Sequence, residues 1–269
     1  MVIKAIKTRP FIPPKDDLLS LLKESFSHLK FTPYRTCSGA GLKEKSIIVI
    51  TSKIVSIWQG RCVKIKEFPN KDELIKKEAD FYINRDKVPG KYVMLTIKKN
   101  LLIPTAGIDE SNARGYFILW PKNPYKAAKE IYDFIKKNYH LKDFGIIISD
   151  SHCTPLRWGT MGLALSYYGF WPLSDYRGKK DIFGREMEIT QSNKADALAA
   201  AAVCVMGEGK EQTPIAIIED IDFIKFKKFN PEKSDPLKIN INEDIYAPLL
   251  KAIKWKKGGG GKWYAKKRR

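Results

Sequence analysis

Gly145-Ile146-Ile147-Ile148-Ser149-Asp150-Ser151 is the stretch on which the fold turns. A short unbroken run of Ile, bounded by turn-forming residues, reads as a buried strand. Its polar end, Asp150-Ser151, then points into a crevice at the carboxyl edge of a sheet. The same arrangement recurs twice. Leu101-Leu102-Ile103-Pro104 runs into Thr105-Ala106-Gly107-Ile108-Asp109-Glu110-Ser111-Asn112, and the small-residue segment from Ala195 to Met206 runs into Gly207-Glu208-Gly209. Three carboxylates placed this way, Asp109, Asp150 and Glu208, are the raw material of an oxygen-ligand site for a hard divalent cation beside phosphates. Any one of them alone reads more readily as a turn or helix-capping acid. Ser151 and Asn112 add neutral oxygen donors suited to Mg2+ or Mn2+.

Outward from these loops, Ser46 to Ile50 reads as a strand running into a loop at Thr51-Ser52-Lys53, and Pro214 to Ile218 as a late strand. Tyr92 to Ile97 and Leu101 to Ile103 read as strands meeting at a turn. Leu18, Leu22, Phe26 and Leu29 stand at helical spacing behind Asp16-Asp17. Asp72 to Asn84, Pro124 to His140 and Asn193 to Met206 read as further helices, the last with an Ala199 to Ala202 run that permits close packing. Gly159 to Phe170, rich in Gly, Ala and Leu, reads as a helix against the sheet, and Ile245 to Trp255 as a basic amphipathic helix. This irregular alternation predicts a mixed α+β architecture rather than a clean doubly wound sheet. The expected division is a two-lobed catalytic body over residues 1–245 and a basic helix and tail over 246–269.

Composition narrows the functional classes. With 43% hydrophobic and 29% charged residues, a chain of 269 residues can bury a real core. No run approaches the ~18 consecutive apolar residues of a membrane span. Met1-Val2-Ile3-Lys4 opens no export signal, and Cys37, Cys62, Cys153 and Cys204 form no Cys-x-x-Cys pair, so a reduced cytoplasmic protein is expected. The net charge of +19, from 39 Lys and 10 Arg against 30 acids, favours anionic partners. Part of it lies in the segment from Lys251 to Arg269, which has nine basic residues and no acidic one. A solvated tail is the plain reading of that run; nucleic acid held through it, on a scaffold derived from an enzyme, is the rival reading.

Two tempting motifs fail. Gly258-Gly259-Gly260-Gly261-Lys262 is no phosphate loop, because position 256 is Lys and no Ser or Thr follows Lys262; it reads as a flexible linker. His152 and Cys153 are adjacent in an extended segment and point to opposite faces, which does not suit a nucleophilic dyad. Lys53, Arg157, Arg177 and Arg185 sit in Gly- or Ser-containing turns where a polyanion could be clamped, with a solvated face the plain reading for at least one of them.

Several motifs in register carry a resemblance. Thr51-Ser52-Lys53-Ile54-Val55-Ser56 with Gly60-Arg61, Ala106 to Asn112, Ile148-Ser149-Asp150, Asp175-Tyr176-Arg177-Gly178, Asp181 to Glu186 and Met206-Gly207-Glu208-Gly209 run in family-like order and spacing from about residue 5 to 220. Together they resemble the coenzyme F420-0:γ-glutamyl ligase family. The resemblance implies a homodimeric, mixed α/β enzyme that joins L-glutamate to a carboxylate of a small cofactor at the expense of GTP, using two Mg2+ or Mn2+ ions; ATP is the alternative co-substrate and K+ a further candidate ion. By motif, Asp109 and Asp150 would hold the first metal, and Ser151 and Glu208 the second. The nucleotide would contact Arg9, Pro10, Phe11 and Ile12, then Ser52, Lys53 and Asn112, and the loop Met206, Gly207, Glu208, Gly209 onward to Thr213. Asp109, Asp150 and Arg157 are the expected catalytic residues.

Two departures bear on specificity. Ser56-Ile57-Trp58-Gln59-Gly60 stands where the family reads Ser-Lys-Ala-Glu-Gly, so Ile57 replaces an expected nucleotide-binding Lys. Asp150-Ser151-His152-Cys153-Thr154-Pro155-Leu156-Arg157 stands where Asp-Thr-x-Gly-Arg-Pro-Trp-Arg is usual, and resembles the branch described as folate-metabolism γ-glutamate ligases. The acceptor is accordingly expected to be F420-0 or a folate.

Overall fold

In chain order a computed structural model of the protein contains β1 (Val2–Ile6), α1 (Leu18–Ser27), β2 (Ser46–Thr51), α2 (Ser52–Trp58), β3 (Cys62–Lys64), α3 (Lys71–Glu78), β4 (Phe81–Tyr82), β5 (Leu95–Lys98), β6 (Leu101–Pro104) and β7 (Tyr116–Ile118). There follow α4 (Pro124–Tyr139), β8 (Phe144–His152), β9 (Met161–Tyr168), β10 (Leu173–Asp175), β11 (Gln191–Asn193), α5 (Lys194–Met206), β12 (Ile215–Glu219), α6 (Ala247–Ala252) and β13 (Lys256–Lys257). Residues 1–27 and 42–262 are described; Leu29, Cys37 and residues 263–269 of the basic tail lie outside the described residues.

The Ile-rich runs build the centre. β2, β8 and β12 lie inside a five-stranded sheet of order β1-β12-β2-β8-β9. β2 and β8 are parallel, from Ser46 opposite Phe144 to Thr51 opposite Ser149, and the other three pairings are antiparallel. Successive side chains alternate between faces. Ile48, Ile50, Ile146 and Ile148 pack with residues of α1, α2 and α4, while Ile47, Val49, Ile147, Ala216 and Ile218 pack with α5. Each fully buried Ile contributes about 1.5–3 kcal/mol by leaving water. The mixed α+β expectation holds.

Helix ends follow the capping residues. Asn123 accepts from the Lys126 amide at 3.0 Å ahead of Pro124, and His140 closes α4 in the left-handed region at φ 55°. Asn193 caps α5 by accepting from the Asp196 amide at 3.1 Å. The small residues of α5 bring it onto β9. A Cβ on Gly162 would stand 2.5 Å from the carbonyl oxygen of Ala199. Gly162→Ala is therefore expected to lift the helix off the sheet and cost about 1–3 kcal/mol, visible as a lowered Tm.

A four-stranded sheet of order β13-β4-β5-β6 and the β3–β7 pair stand beside this sandwich. Val63, Leu74, Ile75, Met94, Ile108 and Phe117 form their core. Buried there is one carboxylate with two cations. Glu78 accepts from Arg61 Nη2 at 2.9 Å and Lys98 Nζ at 2.6 Å, with both its partners also buried.

Five expectations need correction. Gly159 to Phe170 contains a strand, β9, not a helix: it is buried along nearly all its length, so no helical stripe exists to be read, and Gly162 serves close approach. Thr51-Ser52-Lys53 is not a loop; β2 passes directly into α2, whose Ile- and Val-rich sequence hides its helical state. The helix from Asp72 ends at Glu78, because Phe81–Tyr82 pairs with β5. The C-terminal helix is confined to Ala247–Ala252 and buries no residue. Gly258 to Gly261 is not a free linker either: its four amides bond the carbonyl oxygens of Asp80, Lys76, Ala79 and Lys77 at 2.8–2.9 Å.

Candidate active site

A cavity of about 730 Å³ opens where the carboxyl ends of β2 and β8 meet the loop after β6 and the loop after α5. Its size falls within the usual range for small-molecule sites. Asp109, Asp150, Ser151 and Glu208 all line it, as do Arg9, Pro10, Phe11, Ile12, Ser52, Lys53, Asn112, Met206, Gly207 and Gly209. Arg157 is not brought there. It lies exposed between Leu156 and Trp158, both fully exposed, where Leu156 turns the chain outward at φ 60°. Arg177 is also elsewhere, pairing with Asp175 at 2.6 Å.

Asp109 sits in a loop under conformational load. Thr105, Ala106, Asn112 and Arg114 all adopt positive φ between 49° and 54°, each costing on the order of 1 kcal/mol, a kind of strain that gathers at functional sites. Asp109 Oδ1 accepts from the Ser111 amide at 2.8 Å and its hydroxyl at 2.9 Å, and Oδ2 pairs with Lys53 Nζ at 2.6 Å. Burial alone would push this carboxyl up; the Lys53 ammonium and these hydrogen bonds outweigh it and hold the group below its ordinary range.

Asp150 is in the opposite situation. Next to it the β8–β9 register shifts between Ile148 and Ser149, leaving Leu165 unpaired on β9. Such bulges re-aim neighbouring side chains. Packed atoms strip water from the Asp150 carboxyl and push it up to about 6, against the pull of the Trp120 indole N–H, the Ser151 amide and the Ser52 hydroxyl, with Asp109 adding repulsion. Desolvation disfavours the charged form of a carboxyl in this way.

Ser151 and Glu208 form a second pair. Ser151 Oγ donates to Glu208 Oε1 at 2.6 Å, and the Thr160 hydroxyl reaches the same oxygen at 3.4 Å. The glycine loop carrying Glu208 is fixed by Glu211, which accepts from the Gly209 amide at 2.8 Å. Asn112 Nδ2 donates to the Gly209 carbonyl at 2.9 Å, and Gln212 accepts from the Thr8 amide at 2.9 Å. These bonds tie the acidic loop, the glycine loop and the stretch from Arg9 to Ile12 into one rim. Arg9 is spent on that rim: its guanidinium bonds both oxygens of Asp16 at 2.7 and 3.0 Å and holds that carboxyl down at about 2. His152 Nδ1 donates to the Met161 carbonyl at 3.1 Å, away from any dyad with Cys153.

Among the described residues no three His, Cys, Asp or Glu side chains are gathered into one cation cluster. The donors are instead hard oxygens along the cavity wall: the carboxylates of Asp109 and Asp150, and Ser151 hydrogen-bonded to Glu208. Ser149 Oγ, on the cavity wall, is buried with no hydrogen-bond partner among the described residues. This donor chemistry fits Mg2+ or Mn2+. Sequence reasoning does not single out Trp120 or Ser149; the only mark of Trp120 is its place at the end of an apolar segment, before Pro121.

The F420-0:Gamma-glutamyl ligase family matches residues 6–220. The chain belongs to that family. A protein of Methanopyrus kandleri named coenzyme F420:L-glutamate ligase is 29% identical over 252 residues, spanning 87% of this chain and 93% of that protein. Proteins of the same name are 35% identical over 190 residues in Methanocaldococcus jannaschii (66% of this chain, 76% of that protein) and 29% identical over 242 residues in Haloarcula marismortui (83% and 88%). Membership places the chain among ligases that form amide bonds. The carboxylates and the glycine loop of the cavity all fall within the family's matched span, and among the described residues no helix is long and apolar enough to cross a membrane.

Proposed function

We propose that the protein is a nucleoside triphosphate-dependent γ-glutamyl ligase that joins L-glutamate to a carboxylate of a small cofactor, F420-0 or a folate, through an acyl phosphate. The observation that carries the reading is the meeting of Asp109, Lys53 and Asp150 with Ser151, Glu208 and the stretch Arg9 to Ile12 around one cavity. A carboxylate is a poor electrophile. Transfer of the γ-phosphoryl group makes it an acyl phosphate, and the glutamate amine then displaces phosphate to form the amide.

The protein's part is positioning and charge compensation. Asp109 and Asp150 would hold one divalent ion, and Ser151 and Glu208 a second. Such ions would neutralise phosphate oxygens and hold them in line with the attacking carboxylate. Lys53, within reach of Asp109, would turn its ammonium to the triphosphate once a cation takes its place. The backbone of Arg9 to Ile12, with Asn112 and the loop from Met206 to Thr213, would seat the nucleotide. Ile57 lies on the cavity wall, buried beside Ala113 and Ile118, where it offers an apolar surface in place of an ammonium. The exposed Leu156, Trp158, Ile182, Phe183 and Ile189 support a homodimer.

Purified protein given GTP or ATP, Mg2+ or Mn2+, L-glutamate and F420-0 or a folate is expected to release nucleoside diphosphate and phosphate in step with a γ-glutamyl amide seen by mass spectrometry. The name shared by the relatives favours F420-0 as the productive acceptor. Nucleotide hydrolysis that never yields an amide with any acceptor would sink the reading.

A further inference from the structure

We infer that Trp120 is a positioning residue that aims Asp150 at the metal site, and that the C-terminal segment Gly258 to Gly261 belongs to the scaffold holding it. The inference rests on the metal assignment proposed above and extends it to residues outside the donor set.

The Trp120 indole N–H donates to Asp150 Oδ2. With the Ser151 amide and the Ser52 hydroxyl this bond restrains the carboxylate and sets the direction of its other lone pairs; such outer partners are worth about 10–100-fold in metal affinity. The indole itself is held on several sides. Its backbone oxygen accepts from Arg61 Nε at 3.0 Å, and the Lys98 ammonium lies 5.5 Å from its ring centroid. Gly107, at φ 68°, lets the ring approach so closely that a Cβ there would stand 2.0 Å from the indole nitrogen.

Arg61 and Lys98 are both fixed by Glu78, the last residue of α3. The carbonyls at a helix C-terminus lack donors from their own helix. Here the tetraglycine supplies them, through Gly259 to Lys76 and Gly261 to Lys77, each at 2.9 Å. A Cβ on Gly258 would meet the Ala79 carbonyl oxygen at 2.1 Å and one on Gly261 would meet Glu78 Oε2 at 3.3 Å, so the segment lies directly over the buried carboxylate. Contact therefore runs without a break from the tail through Glu78, its two cations and Trp120 to Asp150. The tail lies beyond residue 220, where the family match ends.

The test is Mn2+ affinity of the full chain without nucleotide, measured by electron paramagnetic resonance. Wild type should bind, and Asp150→Asn should lose a site; unchanged binding in Asp150→Asn overturns the metal assignment itself. With that control passed, Trp120→Phe, which keeps a ring and removes the N–H, should weaken Mn2+ about 10–100-fold. Gly258→Val should weaken it in the same direction while the far-ultraviolet circular dichroism stays native. Wild-type affinity in Trp120→Phe overturns the positioning role, and wild-type affinity in Gly258→Val overturns the role of the tail. Should Trp120→Phe not fold, the indole N–H resonance of Trp120 in wild-type protein decides: it should move on addition of Mg2+, and a resonance indifferent to Mg2+ overturns the inference.

Discussion

Asp150→Asn is expected to abolish turnover and, in the same protein stripped of metal, to raise thermal stability. The two effects share one cause. The Asp150 carboxyl is pushed up to about 6 by desolvation, so at neutral pH the metal-free fold holds a charge it solvates badly. The sign follows from linkage. In the unfolded chain an aspartate titrates near ~3.9, so between about pH 4 and 6 the folded state binds more protons than the unfolded one. Stability falls as pH rises through that window and stays at its lowered level above it. A shift of about two pKa units corresponds to roughly 3 kcal/mol, which a neutral amide of the same shape removes.

Trp120 can still donate to the oxygen of the introduced amide, so the local hydrogen bond survives. Activity should fall by more than about 100-fold, since loss of even an outer partner of a metal ligand costs about 10–100-fold. Thermal melts with chelator at pH 7 should place the Asp150→Asn variant above wild type, with the gap about halved at pH 5 and nearly closed at pH 4. A variant no more stable than wild type at pH 7 would show that the carboxyl is solvated after all. Asp109→Asn should show no such gain, because it breaks the ion pair that Asp109 makes with Lys53.

The contrast between these two aspartates marks what the sequence could show. That both stand at the ends of apolar runs is visible in Leu101 to Pro104 and Gly145 to Ser149, and the cavity gathers them with Glu208 as the motifs suggest. That one is held down by a salt bridge and the other pushed up by desolvation is not visible, because it depends on Lys53, Trp120 and Ser52, which lie 30 or more residues away from one or both of them. The same limit explains β9. Met161 to Tyr168 is covered by α4 on one side and α5 on the other, so burial erases the alternation that distinguishes strand from helix. The motif puts Arg157 beside the proposed metal ligands, yet the exposed turn at Leu156 carries it out of the cavity. Periodicity reports which face is buried; it does not report which distant side chain lies against that face.

The second large effect belongs to Glu78. Glu78→Gln should cost about 3–5 kcal/mol, since removing one partner of a buried ionic group leaves the others uncompensated. Glu78 is fully buried, and burial by itself would raise its carboxyl; the Lys98 ammonium and the Arg61 guanidinium reverse that and hold it ionised. Removing the charge leaves two cations facing each other without water. The guanidinium cannot shed its proton, so Lys98 must, and burial already lowers its proton affinity in the wild type. In the variant the folded state then carries fewer protons than the unfolded chain, whose lysines titrate near ~10.4. Stability of Glu78→Gln should therefore climb with pH across the range 7 to 9, as it does wherever the unfolded state binds more protons. Urea unfolding at the two pH values reads both effects. A loss below about 1 kcal/mol at pH 7 would mean that solvent reaches the triad and that the tetraglycine does not seal it.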